Sequence, residues 1–283
     1  MEFSKFLQSE SSRMPHYLLI GSPISHSVSP LMHNTALEHY RLKAEYHAVS
    51  VRNSEISSLI AHLNKLEFLG ANVTIPYKET LFDAMDTLGV EAAQIGAINT
   101  IVKRDGKIVG ENTDAHGFKV PVEEYEDELA GERAVIFGTG GATKAISFAL
   151  YEMGIDEIIL VSRRPGQYDP SEEVIMCNYD NWHAYAEDAA IIINATPLGM
   201  VPNIDASPVK EDETHTLEGK ICYDVVYNPR ETKFLKQAKE SGGIPIEGLD
   251  MLIHQGARSF KLWTGYEFPL GLIKMKLDDV FPN

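Results

Sequence analysis

The residues able to do chemistry in this chain fall in a few short runs. Gly138-Thr139-Gly140-Gly141-Ala142 joins the apolar run Ala134-Val135-Ile136-Phe137 to an alanine-rich segment of helical period. Strand, tight glycine turn and helix in that order form a receptor for a pyrophosphate. The first glycine permits the turn, the second removes a Cβ that would hold the anion off, and the first helical N–H groups face the charge. Thr143 stands where the pattern usually has Gly or Ala. The setting therefore carries the reading more than the letters do, against the alternative of an ordinary glycine-rich loop. Ser27 and Ser29 precede Pro30, which suits a first helical position. Two hydroxyls at a helix start either receive a small anion such as a carboxylate or simply cap the helix. Lys78 stands in the first turn of a helix, against the dipole's preference for acids there. Such a local conflict is expected at a working site, although a lone lysine is ordinarily a solvated one. Asn99 interrupts an apolar strand, where a buried amide needs partners. Asp114 opens a helix, and its plain reading is a cap.

The elements that must position these residues alternate. Tyr17 to Gly21, Ala44 to Val51, Gly70 to Pro76 and Ile95 to Val102 read as strands, with helices after Pro30, over Ser54 to Leu66 and after Tyr77. Arg104-Asp105-Gly106-Lys107 is a hairpin turn, and a helix follows over Ala115 to Glu126. The alternation predicts an α/β fold with a mixed, mostly parallel sheet in the first half. A doubly wound, Rossmann-like sheet is predicted in the second, with a cleft between the two domains. Length agrees: 283 residues accommodate two domains at about 150 residues each.

Composition narrows the function classes. Twenty-five Lys and Arg against 41 Asp and Glu leave a net charge of −16, which argues against a nucleic-acid surface. An anionic substrate would need a site that locally reverses that field. No apolar run approaches the ~18 residues of a membrane span. Residues 1–16 lack the apolar core of a signal peptide and are expected to form a loose extension, with Met14 beginning the ordered part. Cys177 and Cys222 show neither pairing nor metal-ligand spacing, which suits a reducing cytoplasm, and no metal is expected. Ten histidines include no H-E-x-x-H, and no G-x-S-x-G occurs.

Four segments in order, G-S-P-I-S-H-S-V-S-P-L-M-H-N (21–34), N-V-T-I-P-Y-K (72–78), G-A-I-N-T (96–100) and G-E-N-T-D-A-H-G (110–117), resemble the shikimate dehydrogenase family. The resemblance runs from about residue 17 to the end of the chain. It implies a substrate-binding domain over 1–114, an NADP-binding domain over 115–247, and C-terminal helices over 248–283 that return to the first domain.

In the second half, Glu157 to Ser162 is a strand ending in Ser162-Arg163-Arg164. A carboxylate there would meet the ribose hydroxyls of NAD; two guanidinium groups suit a 2′-phosphate instead. The family commonly has Asn-Arg-Thr at this place, a departure that weakens the NADP preference without reversing it. The strand Ala189 to Asn194 leads into Ala195-Thr196-Pro197-Leu198-Gly199-Met200, similar to a family loop beside the cofactor. Lys220 to Val226 ends in a D-x-x-Y-x-P-x-x-T pattern that places Tyr227 at a strand's carboxyl end, where ligand contact and core packing compete. Gln255 follows Met251 by about one turn on one helix face.

What the resemblance implies for roles is specific. Ser27 and Ser29 would grip a ring carboxylate with help from Tyr227. Thr74, Lys78, Asn99, Asp114 and Gln255 would bind ring hydroxyls. Gly138 through Ala142, Ser162, Arg163, Arg164, Thr196, Val225, Gly248 and Met251 would hold NADP, with NAD as the alternative. The implied reaction is reversible hydride transfer between NADP(H) and shikimate, giving 3-dehydroshikimate, in aromatic amino-acid synthesis. Lys78 and Asp114 make sense as an acid/base pair, with the formal proton transfer open between them. Two further readings stand: a quinate/shikimate enzyme preferring NAD, and a non-catalytic dinucleotide sensor, against which the intact Lys78 and Asp114 argue. Small-molecule substrates, no nucleic acid, no membrane, and a monomer or homodimer complete the expectation.

Overall fold

The computed structural model describes residues 1–24, 27–165 and 174–281; Ser25 and His26 of the first motif lie outside the described residues. Contacts divide the chain into one unit of residues 1–114 with 255–282 and a second of 115–254.

The first unit contains α1 (Phe3–Gln8), β1 (His16–Gly21), α2 (Ser29–His39), β2 (Glu45–Ser50), α3 (Ile56–Leu63) and β3 (Phe68–Val73). Then come α4 (Tyr77–Thr80), β4 (Thr87–Leu88), α5 (Val90–Ile95), β5 (Thr100–Arg104) and β6 (Lys107–Glu111). Its six-stranded sheet has the order β2-β1-β3-β5-β6-β4. The pairs of β1 with β2 and with β3 are parallel, as is β4 with β6, whereas β5 runs antiparallel to both its neighbours. Every residue of β1 is buried, as expected of an apolar run flanked on both sides by parallel strands. Asp105 and Gly106, at φ 52° and 77°, close the β5–β6 hairpin with the left-handed pair its twist requires.

Two expectations are corrected here. Residues 1–16 are not a loose extension. Phe3 and Phe6, one helical turn apart, are fully buried in the core with Leu18, Val49, Leu59 and Phe68. The amino terminus donates to the Ala48 carbonyl at 2.9 Å, and Glu2 bridges Ser50 alongside β2. Burial of the two rings, at about 1.5–3 kcal/mol each, holds the segment down. Nor is Ile95 to Val102 one strand: α5 ends at Ile95, Gly96 turns left-handed at φ 71°, and β5 begins at Thr100. Asn99 therefore sits just before the strand. Its N–H still donates to Glu111 and its carbonyl accepts from Val73, so its backbone is fixed from two sides.

The second unit begins within α6 (Asp114–Val122) and continues through α7 (Glu126–Leu129), β7 (Arg133–Phe137), α8 (Gly141–Glu152), β8 (Glu157–Val161) and β9 (Val174–Cys177). It goes on through α9 (His183–Ala186), β10 (Ala189–Asn194), β11 (Ile221–Asp224), α10 (Lys233–Glu240) and β12 (Ile244–Ile246). The start of α11 (Gly248–Thr264) completes it; the rest of α11 and α12 (Leu270–Asp278) belong to the first unit. Every pairing in its sheet, ordered β12-β11-β10-β7-β8-β9, is parallel. Strand order reverses between β10 and β7, the switch point at which such sheets take ligands.

The return to the first unit was expected at residue 248, and the division falls after His254, inside α11. A Cβ on Gly248 would stand 2.6 Å from backbone atoms of Asp224 and Val225. The helix start is thus pressed onto the end of β11, which assigns Gly248 and Met251 to the second unit.

Candidate active site

In the first unit, α4 carries Lys78 and the start of α6 carries Asp114. The Lys78 ammonium donates to Asp114 Oδ2 at 2.5 Å, with side-chain exposures of 14% and 7%. Burial at that level keeps the pair together more firmly than a surface ion pair. The helix cap is supplied by a neighbour: Asn112 Oδ1 accepts the Asp114 N–H at 3.0 Å, and Asn112 Nδ2 donates to the Ala97 carbonyl. Asn112 thus leaves the Asp114 carboxylate to its side-chain partners, and the plain reading of Asp114 as a cap does not hold.

Asn99 is the second partner. Its Nδ2 donates to Asp114 Oδ1 at 2.7 Å and to Gln255 Oε1 at 3.2 Å. The Thr113 backbone N–H, which can only donate, points at Asn99 Oδ1 at 2.7 Å. That contact fixes which end of the amide faces the carboxylate. The structure thus brings Lys78, Asp114, Asn99 and Gln255 into one hydrogen-bonded group.

Behind it lies a buried polar cluster that sequence reasoning passed over. The Ser259 hydroxyl, on α11 one turn after Gln255, meets Asn72 Nδ2 at 2.9 Å, Thr100 Oγ1 at 2.8 Å and Thr113 Oγ1 at 3.1 Å. It also donates back to the Gln255 carbonyl at 3.0 Å. Asn72 Oδ1 in turn accepts from the Tyr46 hydroxyl. These groups are buried and mutually satisfied, so they hold the amide of Asn99 and the turn bearing Gln255 in one arrangement. A signal existed for Asn72, an amide in an apolar strand like Asn99, but not for Ser259.

Ser27 and Ser29 form a separate pair: the Ser29 N–H and the Ser27 hydroxyl meet at the start of α2, with Oγ to Oγ 3.2 Å. The residue before the helix, Val28, offers no side-chain cap, so Ser27 covers one N–H of the turn. Thr74 follows β3, its backbone N–H bonded to the Ile20 carbonyl.

The second unit holds the residues expected to take a dinucleotide. Gly138 adopts φ 110°, and a Cβ there would crowd the Ala195 carbonyl at 3.1 Å, so this position requires glycine. Gly140 precedes the first helical residue, and a Cβ on it would meet nothing within 4 Å. The first turn of the 12-residue α8 has no acidic side chain and no side-chain cap. Open space before uncapped N–H groups fits a phosphate. Thr139 and Ala142 flank that turn. Ser162 follows the neighbouring β8, its hydroxyl accepting the Arg164 N–H at 3.1 Å, while Arg163 and Arg164 are exposed. Thr196 follows β10, and its N–H and hydroxyl both donate to Asn194 Oδ1. Val225 and the half-buried Tyr227 follow β11, and Met251 is buried in the first turn of α11. Tyr227 thus belongs to the second unit and the two serines to the first. Among the described residues no cluster of His, Cys, Asp or Glu could hold a metal, and no helix is long and apolar enough to cross a membrane.

A glycine turn at the switch point of one parallel sheet, with a lysine–carboxylate–amide group in a second α/β unit, defines the class as a two-domain nucleotide-dependent dehydrogenase. The family described as Shikimate dehydrogenase substrate binding domain matches residues 19–101, and that described as Shikimate 5'-dehydrogenase C-terminal domain matches 248–277. A shikimate dehydrogenase (NADP(+)) of Moorella thermoacetica is 40% identical over 266 residues, covering 90% of each chain. The chain belongs to the shikimate dehydrogenase family. Among solved structures, shikimate 5-dehydrogenase of Listeria monocytogenes, in complex with shikimate and NAD, is similar with a TM-score of 0.83 at 30% identity, covering 94% of this chain and 96% of that one. The Thermus thermophilus enzyme, in complex with NADP(H) and shikimate, is similar with a TM-score of 0.81 at 30% identity, covering 95% and 100%.

Proposed function

We propose that this chain is an NADP-dependent shikimate dehydrogenase of the cytoplasm, interconverting 3-dehydroshikimate and shikimate in aromatic amino-acid synthesis. Residues 1–114 with 255–282 bind the cyclic acid, and residues 115–254 bind the nucleotide. One observation carries the reading: the Lys78–Asp114 pair, locked by Asn99 and Gln255, in a chain of this family.

When bound, NADPH supplies the hydride, and the protein's task is to orient the ring and move one proton. Lys78, hydrogen-bonded to Asp114, donates to the substrate oxygen as that oxygen gains negative charge. In the reverse direction the neutral amine takes the proton back. Each Asp114 oxygen accepts one protein hydrogen bond and keeps a second lone pair that suits a ring hydroxyl. Ser27 and Ser29 receive the ring carboxylate with their hydroxyls, assisted by Tyr227. On the nucleotide side, Gly138 to Ala142 and the start of α8 take the pyrophosphate, and Arg163 with Arg164 takes the 2′-phosphate. Ser162, Thr196, Val225, Gly248 and Met251 line the remainder. The buried free thiols Cys177 and Cys222 suit a reducing compartment.

The test is the change in nicotinamide absorbance with shikimate or quinate, each with NADP or NAD. Turnover fastest with shikimate and NADP is expected; no turnover with any pair would end the proposal. Lys78→Ala is expected to lower turnover by about 10²–10⁴-fold with nucleotide affinity retained. Undiminished turnover would remove Lys78 from its role.

A further inference from the structure

One buried carboxylate has no part in that scheme. Asp224, at the end of β11, is fully buried, and its oxygens collect three donors from three places in the chain. Oδ1 accepts from Asn194 Nδ2 at 3.0 Å and from the Val226 N–H at 2.9 Å, and Oδ2 accepts from the Thr232 hydroxyl at 2.6 Å.

Each donor belongs to a segment that faces the ligand end of the parallel sheet. Asn194 ends β10 and shapes the following loop: its Oδ1 takes both donors of Thr196, and its Nδ2 reaches the Leu198 carbonyl as well. Thr232 starts α10, where its oxygen also accepts the Leu235 N–H. Val226 lies in the turn between, next to Val225 and Tyr227. The carboxylate is therefore the knot between the loop 195–199 and the turn 225–232, both of which carry residues assigned to the nucleotide.

We propose that Asp224 is a positioning residue for nucleotide binding: its carboxylate, by holding Asn194, Val226 and Thr232 at once, sets the backbone course of the two loops that carry Thr196, Val225 and Tyr227. This rests on the reading that residues 115–254 take the dinucleotide.

A fully ionised Asp224 accepts all three donors without conflict. A protonated one carries an O–H that only the Thr232 hydroxyl can accept, so that contact must reverse its direction and all three lose the strength that a charged acceptor lends them. Burial drives its pKa up, to about 7, against the opposing pull of Thr232, the Val226 N–H and Asn194; no charged group contributes. Asn194 on β10, Thr232 just before α10 and Ile246 on β12 are uncharged; the titratable groups on the adjoining segments are Tyr223 on β11, Asp250 on α11 and Arg230 of the turn paired with Glu247, and none of them contributes to that rise. Nucleotide affinity is accordingly expected to fall as pH drops through neutrality, because the knot loosens.

The test is direct binding of NADPH, followed by nucleotide fluorescence, to the full-length wild type, D224N and T232V at about pH 8.5 and about pH 6. The 2′-phosphate titrates near pH ~6 in every case, so the difference between proteins carries the result. Wild type is expected to bind several-fold more weakly at the lower pH. D224N should bind about 3–10-fold more weakly than wild type at the higher pH, in line with one lost hydrogen bond, and should lack the wild-type part of the pH response. T232V, which keeps the carboxylate, should bind more weakly but retain the response. D224N with wild-type affinity, or with the full wild-type pH response, would overturn the proposal. Should D224N fail to fold, T232V decides, and unchanged affinity there overturns it. A wild type that binds no NADPH at either pH would instead bring down the reading of residues 115–254, and this proposal with it.

Discussion

At the scale of single residues, the site works by fixing which atom may do what. The Thr113 N–H admits only one orientation of Asn99, and that orientation leaves Asp114 Oδ2 to Lys78. Asn112 takes the capping duty that Asp114 could have been assigned. The same logic applies to cofactor choice. Arg163 and Arg164 stand exposed after β8, where their forks can reach a phosphate. Arg163→Ser is expected to raise the NADP KM by about tenfold or more, the worth of a charged hydrogen bond, while leaving the NAD KM nearly unchanged. Equal losses with both nucleotides in steady-state assays would deny Arg163 that role. These assignments were legible in the sequence as residue types at motif positions. Ser259 was not, because a serine in a helix announces nothing until its four partners from β3, β5, the β6–α6 turn and α11 converge on it.

At the scale of elements, local patterns gave most strands and helices, and the exceptions have physical causes. Ala189 to Asn194 is a strand with the ends its apolar run predicts. Asn99 falls outside its strand because Gly96, free to turn left-handed, ends α5 and delays β5. The amino-terminal helix escapes a sequence reading because its apolar residues, Phe3, Phe6 and Leu7, lie within six positions, too short a span for periodicity to register. Burial of the two phenylalanines carries weight: Phe6→Ala is expected to cost about 3–5 kcal/mol and to lower the melting temperature by several degrees. A change within ~0.5 kcal/mol in a denaturant titration would mean that α1 is dispensable. The division inside α11 was likewise beyond sequence, since it depends on Gly248 pressing against β11 while Gln255 and the residues after it pack with the first unit.

At the scale of the molecule, buried titratable groups in the two units differ in the sign of their response to acid. His33 is buried among Tyr46, Trp263 and Phe268, and burial pulls its pKa down to about 3; burial and the neighbouring His16 take His62 to about 4. Both are neutral when folded and bind protons more readily when unfolded. Their contribution to stability is therefore full above pH 6.5, the unfolded value, and is lost as pH falls below it. Asp224 has the reverse sign. Its raised pKa means that the folded state holds a proton the unfolded state has released, so stability from this group grows as pH falls from about 7 toward 3.8. Hydrogen exchange, corrected for intrinsic rates, is expected to show the first unit's core amides losing protection between about pH 7 and pH 5 before those of β10 and β11. Loss of protection in the second unit first would contradict this.

The division of the first unit into two stretches of chain also has a consequence for how the protein is made. Gln255, Ser259, Phe260, Trp263 and Phe268 follow the whole of residues 115–254 in sequence, yet pack with residues from the first 114. At the ~5–20 residues per second of synthesis, a nascent chain spends on the order of ten seconds with that aromatic face uncovered and Asn72 lacking its Ser259 partner. During that interval the second unit can complete its own sheet, so the part translated first is the part finished last.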